Sequence, residues 1–338
     1  MSRSGMFAGL WEQRWTLKNP PSWLLRQGMG GTTSLAGPGV TVDTAMQTTA
    51  VNACVRILAE SVSSLPFILY RRTADGSKFK AVGHPLYSLL HDAPNGDMTS
   101  LEMRDMMMVD VVTRGNAFCR ILSGRRGDVE ELRPLEARFM EMRRYNGAYW
   151  YIYHDPIEGM QTFNQYEIWH VRGLTSNGLW GMSMIKMAAN AIGLSLATEE
   201  YGSRYFSNGG QPGVVMKYPH KIGTLSDTAK RNIQDSWEAM HGGLEHSHRP
   251  AILEEGLTVE KLGVPPEEAQ FLETRKFQVS EIARIFRVPP HMLADLERAT
   301  FSNIEHMGLE FVEYSLRSWL VRFEQSMARC LLLPDERK

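Results

Sequence analysis

The 338-residue chain is short of the groups that most protein chemistry is built on. Its three cysteines, Cys54, Cys119 and Cys330, are odd in number and far apart. That pattern suits core packing in a reducing cytoplasm rather than a disulfide framework. There is no CxxC, HExxH or GxSxG, so the sequence offers no paired-thiol centre, helical zinc site or nucleophile elbow. There is no GxxxxGK[ST] either, and the glycine-rich runs at 28–31 and 208–213 lack the Lys-Ser/Thr partner of a phosphate cradle. Charge of one sign is not in excess: 37 Lys and Arg face 38 Asp and Glu, a formal net charge of −1. A global basic field for tight nucleic-acid binding is thereby excluded, and any DNA is touched lightly. No apolar run approaches the roughly 20 residues that span a bilayer, so no membrane role is expected. The first fifteen residues lack the apolar core of a secretory signal.

The clusters that remain read as surface. His241, His246 and His248 fall in a loop with no organised partner, and the acidic pairs Glu199-Glu200, Glu254-Glu255 and Glu267-Glu268 diverge rather than converge. Arg71-Arg72, Arg125-Arg126 and Arg143-Arg144 are scattered pairs, which gain weight only if symmetry multiplies one pair into a belt. No catalytic residue, metal or cofactor is expected. A metal-dependent hydrolase or nuclease resting on Glu254 and His246, and a plain interaction scaffold, are the alternatives.

What is present is patterned. Residues 1–42, with Trp11, Trp15 and Trp23 and a Gly/Thr/Ser stretch, read as a flexible arm. From Asp43 apolar residues at helical spacing predict a helix that closes at Leu65-Pro66, followed by a strand FILYRR with the turn ADGSK, a short helix ending before Pro94, and a helix opening at Ser100. Strand-like runs at 117–122, 129–133, 138–143, 148–153 and 167–171 complete an α+β domain with an antiparallel sheet. A helix over 183–208 leads to a compact insert at 212–263, made of a strand, a helix from about Asp227 to His241 and two more strands. A second helix over 265–288 returns from it, beginning at Pro265-Pro266 and ending before Pro289-Pro290. The segment PHMLADLERA then leads to a long helix over 302–332, with Ser302 as N-cap and Glu305 three places on. Its apolar face comprises Ile304, Met307, Phe311, Leu316, Trp319, Leu320, Phe323 and Met327. Such a helix spans roughly 45 Å, long enough that part of the face is expected to pack on another subunit.

Several long stretches carry a resemblance: AVNACVRILAESVSSLPFILYRR, HPLYSLLHDAPN, YGSRYFSNGGQPGVV, AQFLETRKFQVSEIARIFRVPPHML and ERATFSNIEHMGLEFVEYSLRSWLVRFEQ. In these the chain resembles portal proteins of tailed double-stranded DNA phages, in the Hong-Kong-ninety-seven-like branch. The resemblance implies a portal fold: an α+β wing (43–182), paired stem helices (183–211 and 265–288), a small α/β clip (212–264), a tunnel loop (289–301) and a long wing helix (302–338). The family usually continues past LLLPDERK into a helical crown, which is expected to be absent here, leaving ring assembly in question.

The resemblance also implies a ring, usually of twelve subunits, at one capsid vertex of the virion, assembled in the host cytoplasm. Terminase would drive DNA through its channel, DNA would later be ejected, and a head-tail adaptor would attach outside, with the major capsid protein and a scaffold as further partners. Tunnel-loop residues His291, Asp295, Glu297, Arg298 and Thr300 would face weakly bound DNA of any sequence. Lys276, Arg284 and Arg287 would be lumen candidates on the stem. Lys217, Lys221, Arg231, Glu238 and Arg249 on the clip would meet terminase or the adaptor.

Overall fold

The computed structural model describes residues 32–125, 127–207, 214–217, 226–241, 258–261, 268–295 and 301–337. Two strands, β1 (Thr32–Thr33) and β2 (Gly39–Val40), pair at the start of this region. Residues 32–41, expected within the flexible arm, are thus ordered: Val40 is buried in the main core and the hairpin is hydrogen-bonded to itself. Helix α1 (Val42–Gln47) begins at a reciprocal cap between Thr41 and Thr44. Helix α2 (Thr49–Ser63) buries Val51, Cys54, Val55, Leu58 and Val62, the spacing that the sequence presents. Burial pushes the Cys54 thiol up to about 12 and raises that of Cys119, so neither is a reactive thiol.

The FILYRR strand contracts to β3 (Tyr70–Arg72), paired with β4 (Lys78–Lys80). Helix α3 (Pro85–His91) uses Pro85 at its first turn and the His84 ring as cap. Helix α4 (Ser100–Arg114) opens at Ser100 as expected, with Thr99 and Glu102 forming the reciprocal cap before it. Gly115 ends it at φ 83°, where a Cβ would lie 2.5 Å from the Met182 backbone. Met107 and Met108 are buried in the main core, while Met106 is half-buried outside it.

Two antiparallel three-stranded sheets follow. In one, β5 (Asn116–Ser123) lies between β6 (Val129–Leu135) and β10 (Ile168–Arg172). The other is β7 (Met140–Tyr145), β8 (Ala148–Asp155) and β9 (Gly159–Asn164). The expected strand at 138–143 begins instead as a single 3-10 turn, Ala137–Phe139. Strand β9 has no counterpart among the expected runs, since Gly159–Asn164 shows little apolar alternation. Asn146 and Gly147, both at positive φ, turn β7 into β8 as the Tyr-Asn-Gly signal predicts.

Inside the sheets, His170 lies between Asn116 Oδ1 at 3.0 Å and the Tyr151 hydroxyl at 3.2 Å. Burial, and then the Arg172 charge, hold its pKa well below the usual value, so the ring is neutral. Asp110 on α4 accepts the Ala137 N–H at 2.9 Å and sits 3.4 Å from Arg114. Burial nevertheless raises its carboxyl to about 6.

The expected helix at 183–208 is two helices, α5 (Met184–Met187) and α6 (Ala189–Ser207), separated at Ala188. Ser183 caps the first, its Oγ accepting the Lys186 N–H. The β1–β2 hairpin packs on α6, where the Leu35 N–H donates to Asn190 Oδ1 at 3.2 Å and Ser34 fills the space left by Gly193. Strand β11 (Val214–Lys217) pairs with β12 (Thr258–Lys261), and helix α7 (Asp227–His241) lies between them in sequence. The other expected strand, at 250–256, lies outside the described residues.

Helix α8 (Glu268–Phe286) ends two residues short of the expected 288, while residues 265–267 lie outside the described residues. Beyond a short 3-10 turn (Pro290–Leu293) come α9 (Phe301–Glu310), a π-helical segment (Phe311–Leu316) and α10 (Arg317–Leu331). Ser302 is therefore inside a helix rather than its cap. The long helix is docked on the sheet by Trp169, whose Nε1–H donates to Ser326 Oγ at 2.8 Å, and by Arg322, which donates to the Gly173 carbonyl at 2.7 Å.

Candidate functional site

Helix α8 has two different sides. One is fixed: Gln278, buried, donates to Thr198 Oγ1 of α6 at 2.9 Å, and Tyr201 meets Phe271 at 6.4 Å between ring centroids. Gly202 permits this approach, because a Cβ there would lie 2.9 Å from Phe271 Cζ. Glu199, expected on a solvated face, pairs across the two helices with Arg275 at 3.6 Å, while Glu200 pairs along its own helix with Arg204. Further along, Ile282, Ala283 and Phe286 enter the main core with Val288. The opposite side of α8 carries Glu273, Lys276, Ser280 and Arg284 into an open groove of about 920 Å³.

The end of α8 shapes that groove. Arg287 lies at φ 58°, its N–H donating to the Arg284 carbonyl while the Val288 N–H reaches back to Ala283 at 2.9 Å. This is the double closure that helices normally make over a glycine, here made over an arginine at a cost of about 1 kcal/mol. The Arg287 carbonyl is held by Ser315 Oγ at 2.6 Å, from the π-helical segment. A second residue in the same region, Ala294, stands at φ 61° and closes the 3-10 turn, with the Asp295 N–H donating to the Pro290 carbonyl at 3.2 Å. Ser280 Oγ is 3.4 Å from Asp295 Oδ2. His291 presents a buried Nδ1 that has no hydrogen-bond partner among the described residues.

Five of the residues named from sequence thus meet in one groove: Lys276, Arg284, Arg287, His291 and Asp295. Glu273 and Glu310 offset their charge, and Phe277, Phe311 and Tyr314 supply an apolar wall. Such a lining presents charges of both signs without a converging catalytic pair. Glu297, Arg298 and Thr300 lie outside the described residues, as do Lys221 and Arg249. Lys217 ends β11, Arg231 is exposed on α7, and Glu238 is also on α7. Sequence reasoning missed Ser280 and Ser315, whose roles depend on contacts between distant segments. It also missed the π-helical segment, in which Phe311 and Leu316, five residues apart, are both buried.

Residues 49–338 match the family model for phage portal proteins. The chain belongs to the phage portal protein family. It is 32% identical over 314 residues to a probable portal protein of Streptomyces phage phiC31, covering 89% of this chain and 67% of that relative. The portal protein of Enterobacteria phage HK97 is 31% identical over 290 residues, with 85% of this chain and 68% of the relative covered. These matches place it with the HK97-like portal proteins. Among solved structures, an HK97 family phage portal protein from Corynebacterium diphtheriae aligns with a TM-score of 0.65 at 14% identity, over 88% of this chain and 93% of that one. The neck of a native gene transfer agent particle, computed with C12 symmetry, aligns at a TM-score of 0.57 and 21% identity over 91% and 84%. The α+β portal fold expected from the sequence is therefore the fold observed. The portal family is a structural family rather than a known enzyme family.

Proposed function

We propose that the chain is the repeating subunit of a ring-shaped channel at one vertex of a phage capsid, through which double-stranded DNA is packaged and later ejected. The observation that carries this reading is the groove on α8, seen together with the family. In it, the charges expected to face the lumen gather on the side of the α6–α8 pair that the subunit's own core leaves uncovered. In this reading α5 and α6 (183–211) and α8 (265–288) are the stem, 212–264 the clip, 289–301 the tunnel loop, and 43–182 with 302–338 the wing. The balance of Lys276, Arg284 and Arg287 against Glu273, Asp295 and Glu310 suits a wall past which phosphates slide, because each additional fixed cation would tighten DNA and slow it. A twelve-subunit ring is supported by the C12 symmetry with which the gene transfer agent neck was computed. Terminase during packaging and an adaptor afterwards would meet the clip, and the capsid protein the wing.

Negative-stain images of the purified protein test this directly. Rings with a central hole are expected, and a strictly monomeric particle at high protein concentration would count against it. The nuclease alternative named His246 and Glu254, which lie outside the described residues, and no observation favours it.

A further inference from the structure

Away from the groove, the β3–β4 ribbon concentrates charge to a degree the chain as a whole does not. Tyr70–Lys80 holds Arg71, Arg72, Lys78 and Lys80 against one carboxylate, Asp75, in a chain of net charge −1. All six strand residues are exposed, and none of the four cations has an ion pair among the described residues. Asp75 is spent on the turn: it accepts the Ser77 N–H at 3.1 Å, the Ser77 hydroxyl at 3.0 Å and the Thr73 hydroxyl. The pairing also sets Arg72 directly opposite Lys78, a like-charge cross-strand pair that opposes folding of the ribbon. Among the described residues no ion pair offsets that cost.

The register distributes these charges in a particular way. Arg72, Lys78 and Lys80 stand with Tyr70 on one face, and Arg71 with Phe79 on the other. A flat acidic protein surface would meet only one of those faces. The groove of a duplex admits a two-stranded ribbon and has phosphates along both walls, so it meets both. The ribbon offers no Asn or Gln to read adenine, and its four cations, set on the phosphate backbone, contact it without reading sequence. Its place is also separate from the proposed channel wall. Phe67 and Leu69, which lead into β3, pack beside the C-terminal half of α10, whereas the groove adjoins residues 307–315 at the other end of that helix. Phe323, which meets Phe67, lies about 12 Å along the helix from Ser315 at the edge of the groove.

We propose that the β3–β4 ribbon is a second, sequence-independent DNA contact, outside the channel, that grips the phosphate backbone of a duplex through Arg71, Arg72, Lys78 and Lys80. It draws on the portal reading only for the class of polyanion at hand. A closed-circular duplex separates the two sites, because a closed ring cannot thread onto a closed circle. Binding of relaxed circular plasmid is measured by filter retention over a salt series, for the parent and for the combined Arg71→Ser, Arg72→Ser, Lys78→Ser and Lys80→Ser variant. These side chains are exposed, and circular dichroism verifies the fold. With four phosphate contacts the parent's log–log salt slope is expected to be about −3.6, so a fourfold rise in salt weakens binding about 10²-fold; the variant loses that dependence. The Arg71→Lys and Arg72→Lys pair retains it. Equal binding by parent and four-site variant, or retention of linear DNA alone, would overturn the proposal. So would polyglutamate binding the ribbon more tightly than the duplex, an outcome that assigns the surface to an acidic protein. If no rings form, the channel reading fails by itself, and the same comparison on the subunit still decides the ribbon.

Discussion

Asp110 shows how one buried carboxyl leaves a mark on stability. Its pKa, raised from 3.8 to about 6 chiefly by burial, means that the folded chain holds the proton more tightly than the unfolded chain does. Stability from this group is therefore intact below about pH 4 and falls as pH rises toward 6, by about 3 kcal/mol in all. Asp110→Asn retains an oxygen for the Ala137 N–H and removes the charge. Urea unfolding should show the variant at least as stable as the parent at pH 7.5, with the gap closing toward pH 4. A constant gap at both pH values would contradict the assignment. The buried neutral His170 acts with the opposite sign, losing stability as pH falls, and cancels in the comparison because both proteins contain it. None of this was legible in the sequence, where Asp110 is one carboxylate among many. Its burial follows from the way α4 meets the 3-10 turn at Ala137.

At the level of elements, local signals were read well and long-range ones were not. The Tyr-Asn-Gly turn, the proline stop after α8 and the span of α7 all follow from neighbours in sequence, and the structure has them. The interruption at Ala188, strand β9 and the closure over Arg287 depend on tertiary packing instead. Of these, the junction of α8 with the π-helical segment is the most specific, because one hydroxyl, Ser315 Oγ, ties the end of α8 to the long helix. Ser315→Ala should cost about 1 kcal/mol in chemical unfolding, the worth of one partly buried hydrogen bond. It should also raise amide exchange at Val288, whose N–H closes the turn beside Arg287. Unchanged exchange there would show that the tie does not hold the turn.

For the whole molecule, the family and the general architecture were legible because long stretches carried them, while the interfaces of an assembly were not. The single subunit leaves Leu194 and Tyr201 about half exposed, seven residues apart on α6. Each copy of a closed ring would present such a face to a neighbour. Leu194→Asp is expected to leave a folded subunit with an unchanged far-ultraviolet spectrum but to abolish rings in light scattering and images; rings of normal size would remove α6 from the interface. The π-helical segment also has a bearing on how this chain is compared with its kin. A residue added to a regular α-helix turns everything beyond it by about 100°, whereas a π-turn absorbs the extra residue where it falls. Relatives whose long helix is α-helical throughout would then align with a one-residue gap within 311–316, and the apolar faces of α9 and α10 would keep their phase across it. A difference of that kind would mark an insertion absorbed where the helix on either side is too constrained to rotate.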